Sequence, residues 1–577
     1  MNIKQFIPAF EWMPKYTNEQ LKGDLSAGLT VGVMLIPQGM AYAMIAGLPP
    51  IYGLYASTIP LIIYALLGTS RQLAVGPVAM VSLLTAAGIG ALAEGGTETY
   101  IMLAITLAFF VGMIQFLLGV FQLGFLVNFL SHPVVSGFTS AAALIIGLSQ
   151  LKHLLGVNIS GSHFVHEILI EAVRKIGQTH WVTFAIGVAG IFLIKGVKKV
   201  NKNIPGQLLA VVFGVLVVWA FGLGEQGVKI VGEVPSGLPS FSMPAFSAES
   251  VKALLPTALA ISLVSFMESI AVAKAIQSKH RNYKVVANQE LIALGLANVG
   301  GAFLQSYPVT GGFSRTAVND QAGAKTGMAS IISALLIVLT LLFLTPLFYF
   351  LPNAILASVI MVAVFGLIDV KEAIHLWHAD RSDFWMLVIT FVATLGLGIE
   401  QGVGVGVLLS IAWVIFRTTR PHVAELGKVP GTLFYRNISR FEKLEERSDL
   451  LVMRFDASLF FANINYFKDH LHEMADRKGK DLKAIIINAD SINSLDSSGA
   501  HAIEELLEEY HAKGVRLMFT GVKGPVRDTL AKAHLTSKIG QGNFFMIVQE
   551  AVDSFDQEKD KNDTTTFSKY TMQVNER

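Results

Sequence analysis

Two charged residues stand where charge is costly. Glu268 lies in "SFMESIAVA", inside an apolar helical run, and Arg315 follows the paired glycines Gly311 and Gly312 in "PVTGGFSRTAV". Residues 291–314 before that arginine carry no charge, and neither do residues 326–368 after it. An ionisable group embedded in apolar sequence meets a partner or marks a pathway for ions or substrate. A guanidinium can grip an anion through several N–H donors. A carboxylic acid enclosed in apolar surroundings is disfavoured in its ionised form, so it can carry a proton, and as a carboxylate it can hold a cation.

The spacing around these residues repeats. Gln38 sits inside an apolar helix in "PQGMAYA", and Pro77 of "VGPVA" follows 39 residues later; Glu268 sits in "MESIAVA", and Pro308 of "SYPVTGG" follows 40 later. Both helices share polar-x-x-Ala-x-Ala, with Ala41 and Ala43 matching Ala271 and Ala273. Glycine- and proline-interrupted segments at corresponding positions in two halves are the mark of discontinuous helices around a transporter's binding site. The expected elements are two half-helices, one beginning near Gly76 and Pro77 and the other near Gly311 to Ser314. Their N-termini would face each other with unpaired N–H groups and partial positive charge, which favours an anion. Arg315 adds a full charge to that pocket. The competing readings are structural: an ion pair of Glu268 with Arg315 or Lys274, an arginine reaching the interface from a helix end, a helix-to-helix hydrogen bond for Gln38, and packing for Tyr42.

The rest of the chain supplies the setting. It has 577 residues, 53% apolar and 15% charged, well below the charge of soluble domains. Uncharged runs at 25–70, 73–93, 204–224, 326–368 and 401–416 include several that exceed the ~20 residues of a spanning helix. The reading is a polytopic α-helical membrane protein with twelve to fourteen crossings. The opening residues do not read as a cleaved signal peptide, and none is expected. The densest basic loops, "KGVKKVNKN" and "KAIQSKHRNYK", are expected in the cytoplasm with both termini. The absence of cysteine removes disulfides and thiolate metal sites, and a formal charge of +2 gives no sign of nucleic-acid binding. The close glycines of "GLGIEQGVGVGVLLS" lack the phosphate-loop pattern and read as helix packing. His132, before Pro133, reads as a helix-end residue.

Composition changes near "RTTRPHVAELGKVPG". Beyond it "DLLVMRFDASLFFAN", "LKAIIINAD" and "VRLMFTGV" read as strands, and "SSGAHAIEELLEEYHAKG" as a helix closed by Gly514. The expected organisation is an N-terminal segment at 1–23, a membrane domain at 24–420, a linker at 421–434, a soluble α/β domain at 435–555 and a disordered tail at 556–577. In "LDSSG", Asp496, Ser497 and Ser498 open the helix as N-cap residues. There is no nucleophile-base pair or metal cluster in this domain, so an enzyme is not expected.

The stretch "PPIYGLYASTIPLIIYALLGTSRQLAVGPVAM" resembles the signature of the sulfate permease (SulP) family of anion transporters, and "NADSINSLDSSGAHAIEEL" resembles the STAS domain shared with bacterial anti-sigma-factor antagonists. The resemblance implies fourteen segments in two inverted repeats of seven, core and gate subdomains, a homodimer and elevator-like movement. It places Gln38, Tyr42, Val78, Ala79, Phe313, Ser314 and Arg315 around the anion, between the half-helices of segments three and ten. Gly76, Pro77, Gly311 and Gly312 supply backbone, and Glu268 on segment eight takes the coupling-ion position. It also implies phosphorylation at Ser497 as a regulatory reading beside the N-cap. The function expected is proton-coupled symport of a small inorganic anion, foremost sulfate, at the inner or plasma membrane without metal or cofactor. Membrane lipid and a cytoplasmic partner of the STAS domain are expected, and nucleic acid is not. Alternatives are sodium-coupled bicarbonate uptake, dicarboxylate transport, a channel-like protein and a STAS-mediated sensor.

Overall fold

The computed structural model describes residues 7–125, 131–159, 165–200, 206–280 and 282–561. Two compact units divide between Ser410 and Ile411.

The first unit is helical. In chain order its principal helices are α1 (Asn18–Ile45), α2 (Ile59–Leu67), α3 (Ala79–Gly90), α4 (Glu98–Val120), α5 (His132–Ser149), α6 (Trp181–Val200), α7 (Gly206–Phe221), α8 (Ala248–His280), α9 (Ala287–Ala302), α10 (Phe313–Gln321), α11 (Met328–Leu339), α12 (Asn353–Phe365), α13 (Arg381–Leu397) and α14 (Ile399–Thr419), whose last turns enter the second unit. Six helical stretches among the described residues are long and apolar enough to cross a membrane, and five shorter apolar ones accompany them. α1 starts at a capping box: Thr17 Oγ1 accepts from Gln20 N, and Gln20 Oε1 accepts from Thr17 N. This reciprocal pairing satisfies two otherwise open N–H groups. α4 and α9 meet through glycines. A Cβ on Gly295 would lie 2.5 Å from the backbone N of Phe116, and one on Gly112 would lie 2.6 Å from Gly295 O. Small residues let the backbones come this close where no hydrophobic force drives helices together.

Two short extended pieces interrupt the helices. β1 (Val75–Gly76) precedes α3 and β2 (Thr310–Gly311) precedes α10, and they pair antiparallel with Val75 opposite Gly311 and Gly76 opposite Thr310. Strand followed by half-helix therefore occurs twice. The two prolines do not mark the same point in it: Pro77 follows β1, whereas Pro308 precedes β2. Their matched distances from Gln38 and Glu268 were thus not a register between corresponding residues. What recurs is the break in the helix, which proline on either side of a short strand enforces by removing an N–H donor.

The second unit is a six-stranded sheet in the order β4 (Tyr435–Asn437), β3 (Val423–Lys428), β5 (Leu450–Phe455), β6 (Ala484–Asn488), β7 (Arg516–Thr520), β8 (Phe544–Phe545). β3 runs antiparallel to its two neighbours and the remaining pairs are parallel. Side chains alternate across a strand, so Leu451, Met453 and Phe455 enter one core with Phe467 and Leu471 of α15 (Ile464–Lys478) and Leu506 of α16 (Ser497–Ala512). Leu450 and Val452 enter the other core with Val552 and Phe555 of α18 (Val548–Lys561), α17 being Gly524–Lys532.

The expected strands at β5, β6 and β7 and the helix at α16 all form, with Gly514 at φ +71° just past the helix end. The stretch 421–434, expected to be a linker, carries β3, which lies between β4 and β5 in the sheet. Its mixed charge hid a strand whose ladder partners come later in the chain. Of the tail expected to be disordered, 556–561 continues α18, and 562–577 lie outside the described residues.

Asp456 fixes the start of this sheet. Burial opposes its ionisation, but Arg454, bonded at 2.7 and 2.9 Å, and His422 at 2.8 Å outweigh burial and hold its carboxyl below the usual aspartate value. A carboxyl with a lowered folded-state pKa stabilises the fold above its unfolded value, about 3.9, and that contribution fades as pH falls through the lower folded value. Calorimetry of the full chain is expected to show the C-terminal transition moving down as pH drops below about 4. Asp456→Asn should flatten that acid dependence.

Candidate functional site

The half-helices begin where the sequence placed them. α3 has Val78 as N-cap and α10 has Gly312, and neither position offers a capping side chain. Their first-turn N–H groups are thus left to whatever lies in front of them. At 1.5 Å per residue α3 spans roughly 18 Å and α10 about 13 Å, each about half a bilayer core.

A polar scaffold fixes the backbone between them. Asn298 on α9 donates through Nδ2 to Val309 O at 3.0 Å and accepts from Val309 N at 2.8 Å, holding the residue before β2 as a neighbouring strand would. Asn298 also donates to Gln115 Oε1 on α4, and Gln115 donates to Ser265 Oγ on α8. Ser269, next to Glu268 on α8, accepts from Gly311 N at 2.8 Å and shares a 2.6 Å bond with Thr310 Oγ1. Thr310 Oγ1 in turn donates to Ser265 O. On the other side, Thr316 Oγ1 of α10 accepts from Ala74 N, and Gly312 N donates to Ala74 O. The helix carrying Glu268 is therefore bonded directly to the strand that starts α10. Asn298→Ala would leave both polar groups of Val309 without partners in a buried place, at a cost of about 2–6 kcal/mol. A lowered melting temperature of the detergent-solubilised chain is the expected readout, and an unchanged one would remove Asn298 from this role.

Arg315 sits at the centre of the arrangement, only 1% exposed. One guanidinium nitrogen donates to Pro77 O at 2.6 Å, joining α10 to the approach of α3. Nε and the second terminal nitrogen are buried with no hydrogen-bond partner among the described residues. Glycine makes room for the guanidinium at the start of α10, where a Cβ on Gly312 would lie 3.0 Å from it; at Gly76 a Cβ would fit at 3.5 Å, and it is the φ of +146° that favours glycine there. A Cβ on Gly311 would strike Leu73 at 2.7 Å. Phe313 is 62% exposed and Ser314 is exposed, whereas the adjacent Arg315 is buried. Val78 and Ala79 are buried at the start of α3.

Glu268 forms no ion pair with Arg315 or Lys274 among the described residues, and its Oε2 is buried without a hydrogen-bond partner. Its charge and that of Arg315 both act on the Tyr42 hydroxyl, and Arg315 acts on Glu268. Gln38 is buried at 1% exposure with Oε1 unpartnered, so the helix-to-helix bond considered for it is absent at that atom. The structure thus gathers Tyr42, Glu268, Arg315 and the strand glycines into one electrostatic neighbourhood. A desolvated guanidinium with open donors, helix N-termini without side-chain caps and a nearby carboxyl without an ion pair together offer hydrogen-bond donors and positive charge that suit an anion. His132 lies at the start of α5 as expected, 3.3 Å from Glu372.

Two buried carboxylates serve the scaffold. Glu290, fully buried, accepts from Tyr64 Oη, Thr69 N, Thr69 Oγ1 and Ser70 N and so anchors the loop entering β1. Asp24 accepts from Lys325 N, Thr326 N, Thr326 Oγ1 and Tyr16 Oη and anchors the loop leaving α10. Sequence reasoning missed both, along with Asn298, Gln115 and Ser269. Their signal was a polar side chain within or beside an apolar run, which gives no partner's identity.

In the C-terminal unit Asp496, not Ser497, caps α16, accepting from Gly499 N at 2.7 Å. Ser497 and Ser498 are exposed beside it.

Residues 21–390 match the model of the Sulfate permease family, and residues 442–551 match that of the STAS domain. The chain is 40% identical over 568 residues to sulfate transporter 4.1, chloroplastic, of Arabidopsis thaliana, covering 95% of this chain and 82% of that one. It is 36% identical over 580 residues to high affinity sulfate transporter 1 of Stylosanthes hamata, covering 96% and 86%. Among solved structures, the murine Solute Carrier 26 family member A9 anion transporter in the inward-facing state aligns with TM-score 0.88 and 26% identity over 95% of this chain and 94% of that one.

Proposed function

The chain belongs to the sulfate permease family, a family of multi-pass membrane transporters and not of enzymes, and from that premise we propose that it carries out secondary active transport of sulfate by proton symport. The observation that carries the reading is Arg315: a guanidinium 1% exposed, with a single hydrogen bond, whose two other nitrogens have no partner. An unpaired buried charge is unfavourable until a counter-ion completes it, and a dianion with tetrahedral oxygens can take both open donors and the N–H groups of α3 and α10. Relatives named as sulfate transporters support sulfate over other oxyanions. Glu268 is the coupling group in this reading. Its protonation removes a negative charge from the neighbourhood of the anion, so the loaded site needs both ions.

Fourteen segments arranged as two inverted repeats of seven, with core and gate subdomains, would present this site alternately to either side by an elevator-like movement. The repeated strand and half-helix supports that arrangement. The protein is proposed to work as a homodimer in the inner or plasma membrane with both termini cytoplasmic, its STAS domain meeting a cytoplasmic partner and regulating transport, with phosphorylation of Ser497 as one route. Radiotracer uptake into proteoliposomes, comparing sulfate, bicarbonate and fumarate under an inward proton or sodium gradient, tests the assignment. Sulfate uptake accelerated by protons alone is the expected result. Sodium-driven bicarbonate uptake or flux without a co-ion would overturn it.

A further inference from the structure

A cavity of about 380 Å³ opens in the C-terminal unit where β3 begins and β4 ends. One wall is Arg454, Asp456 and His422, in which the carboxylate of Asp456 is taken up by two bonds from Arg454 and one contact with His422. The facing wall is Arg436 and Arg440. Among the described residues neither has an ion-pair partner; Arg436 touches the Tyr435 carbonyl at 3.4 Å and lies over the Phe434 ring, and no side-chain contact engages Arg440. Phe441, 51% exposed, forms the rim. The cavity therefore holds three guanidiniums and one carboxylate, which Arg454 engages, and so leaves Arg436 and Arg440 unneutralised beside an apolar edge.

Its place along the chain decides which anion it meets. α14 is an apolar helix that ends at Thr419, with Arg417 in its last turn, and His422 of the cavity follows three residues later. Three residues span at most about 10 Å, so the His422 side of the cavity lies close to the end of that apolar helix. Arg417 lies in the last turn of that helix and Arg420 directly after it, while Arg436 and Arg440 line the cavity, and basic side chains next to a membrane helix draw anionic lipid. Glu442, Glu445 and Glu446 follow on the next loop, so an anion here is held by the arginines of the cavity and not by a broad basic face.

We propose that this cavity binds the phosphate headgroup of an anionic membrane lipid and so ties the start of the STAS domain to the bilayer surface. Arg436 and Arg440 grip the phosphate, Arg454 adds a donor from the opposite wall, and Phe441 rests against the lipid's apolar side. The test is native mass spectrometry of the delipidated full chain titrated with phosphatidylglycerol, with phosphatidylcholine as neutral control and inorganic phosphate as soluble competitor. The double variant Arg436→Gln/Arg440→Gln is expected to bind phosphatidylglycerol about thirtyfold more weakly and phosphatidylcholine equally well. Equal phosphatidylglycerol binding by variant and wild type would overturn the proposal. Displacement of the lipid by millimolar inorganic phosphate would also overturn it, by assigning the cavity to a soluble oxyanion. Arg440→Gln alone, which removes no side-chain contact, decides the matter if the double variant does not fold. The measurement needs no transport, so it stands or falls apart from the sulfate reading.

Discussion

Arg315→Gln is expected to abolish measurable sulfate uptake at micromolar substrate while the chain folds and melts at or above the wild-type temperature. The two effects have one origin. In the unliganded protein the guanidinium is desolvated with two nitrogens unpartnered, so a neutral side chain of similar reach relieves a penalty in the fold. In the loaded protein the same change removes charge-assisted bonds to the anion, each worth about 1.5–3 kcal/mol, or roughly 10- to 150-fold in affinity per bond. Arg315→Lys keeps the charge but loses the planar fork, and should raise KM steeply while leaving some uptake at high substrate. Isothermal titration with sulfate and proteoliposome uptake check both. A glutamine variant that binds and transports like wild type would place the anion elsewhere.

Glu268→Gln separates binding from driving force. A permanently neutral side chain imitates the protonated acid, so sulfate binding and counterflow exchange are expected to persist within about threefold, a change of less than 1 kcal/mol. Accumulation against a gradient should vanish, because no proton is then carried with the anion. Glu268→Asp retains the titrating group one methylene further back and should recover part of the proton-driven uptake. Proton-driven accumulation unchanged in the glutamine variant would remove Glu268 from coupling. Loss of sulfate binding as well would make it part of the anion site.

Much of this protein was legible locally. Long uncharged runs announced membrane helices because burying charge in hydrocarbon costs several kcal/mol. β6 and β7 were readable from continuous β-branched and apolar runs, and α16 from its period and closing glycine. β3 escaped because half of its identity lies in its ladder: "VAELGK" becomes a strand only between β4 and β5. The half-helix starts were legible because glycine and proline break helices by their own stereochemistry. The exact correspondence of the two halves was not, since Pro77 and Pro308 fall on opposite sides of their strands.

The residues that hold the site were the least readable. Asn298, Gln115, Ser265 and Ser269 are common residues in membrane helices, and only the packing of α4, α8 and α9 turns them into a scaffold for Val309 and β2. Glu290 and Asp24 look like isolated charges until their loops fold over them.

By itself the sequence determined that the chain lives in a membrane, where its helices break, that an α/β domain follows, and which arginine and glutamate stand in apolar surroundings. These are consequences of composition and short-range stereochemistry. Tertiary structure alone decided that Arg315 bonds the Pro77 carbonyl 238 residues away, that Glu268 keeps a carboxylate oxygen free instead of pairing, and that Ser269 ties α8 to β2, the strand that leads into α10. Partner choice across such distances is set by which helices pack together, and no local pattern encodes it.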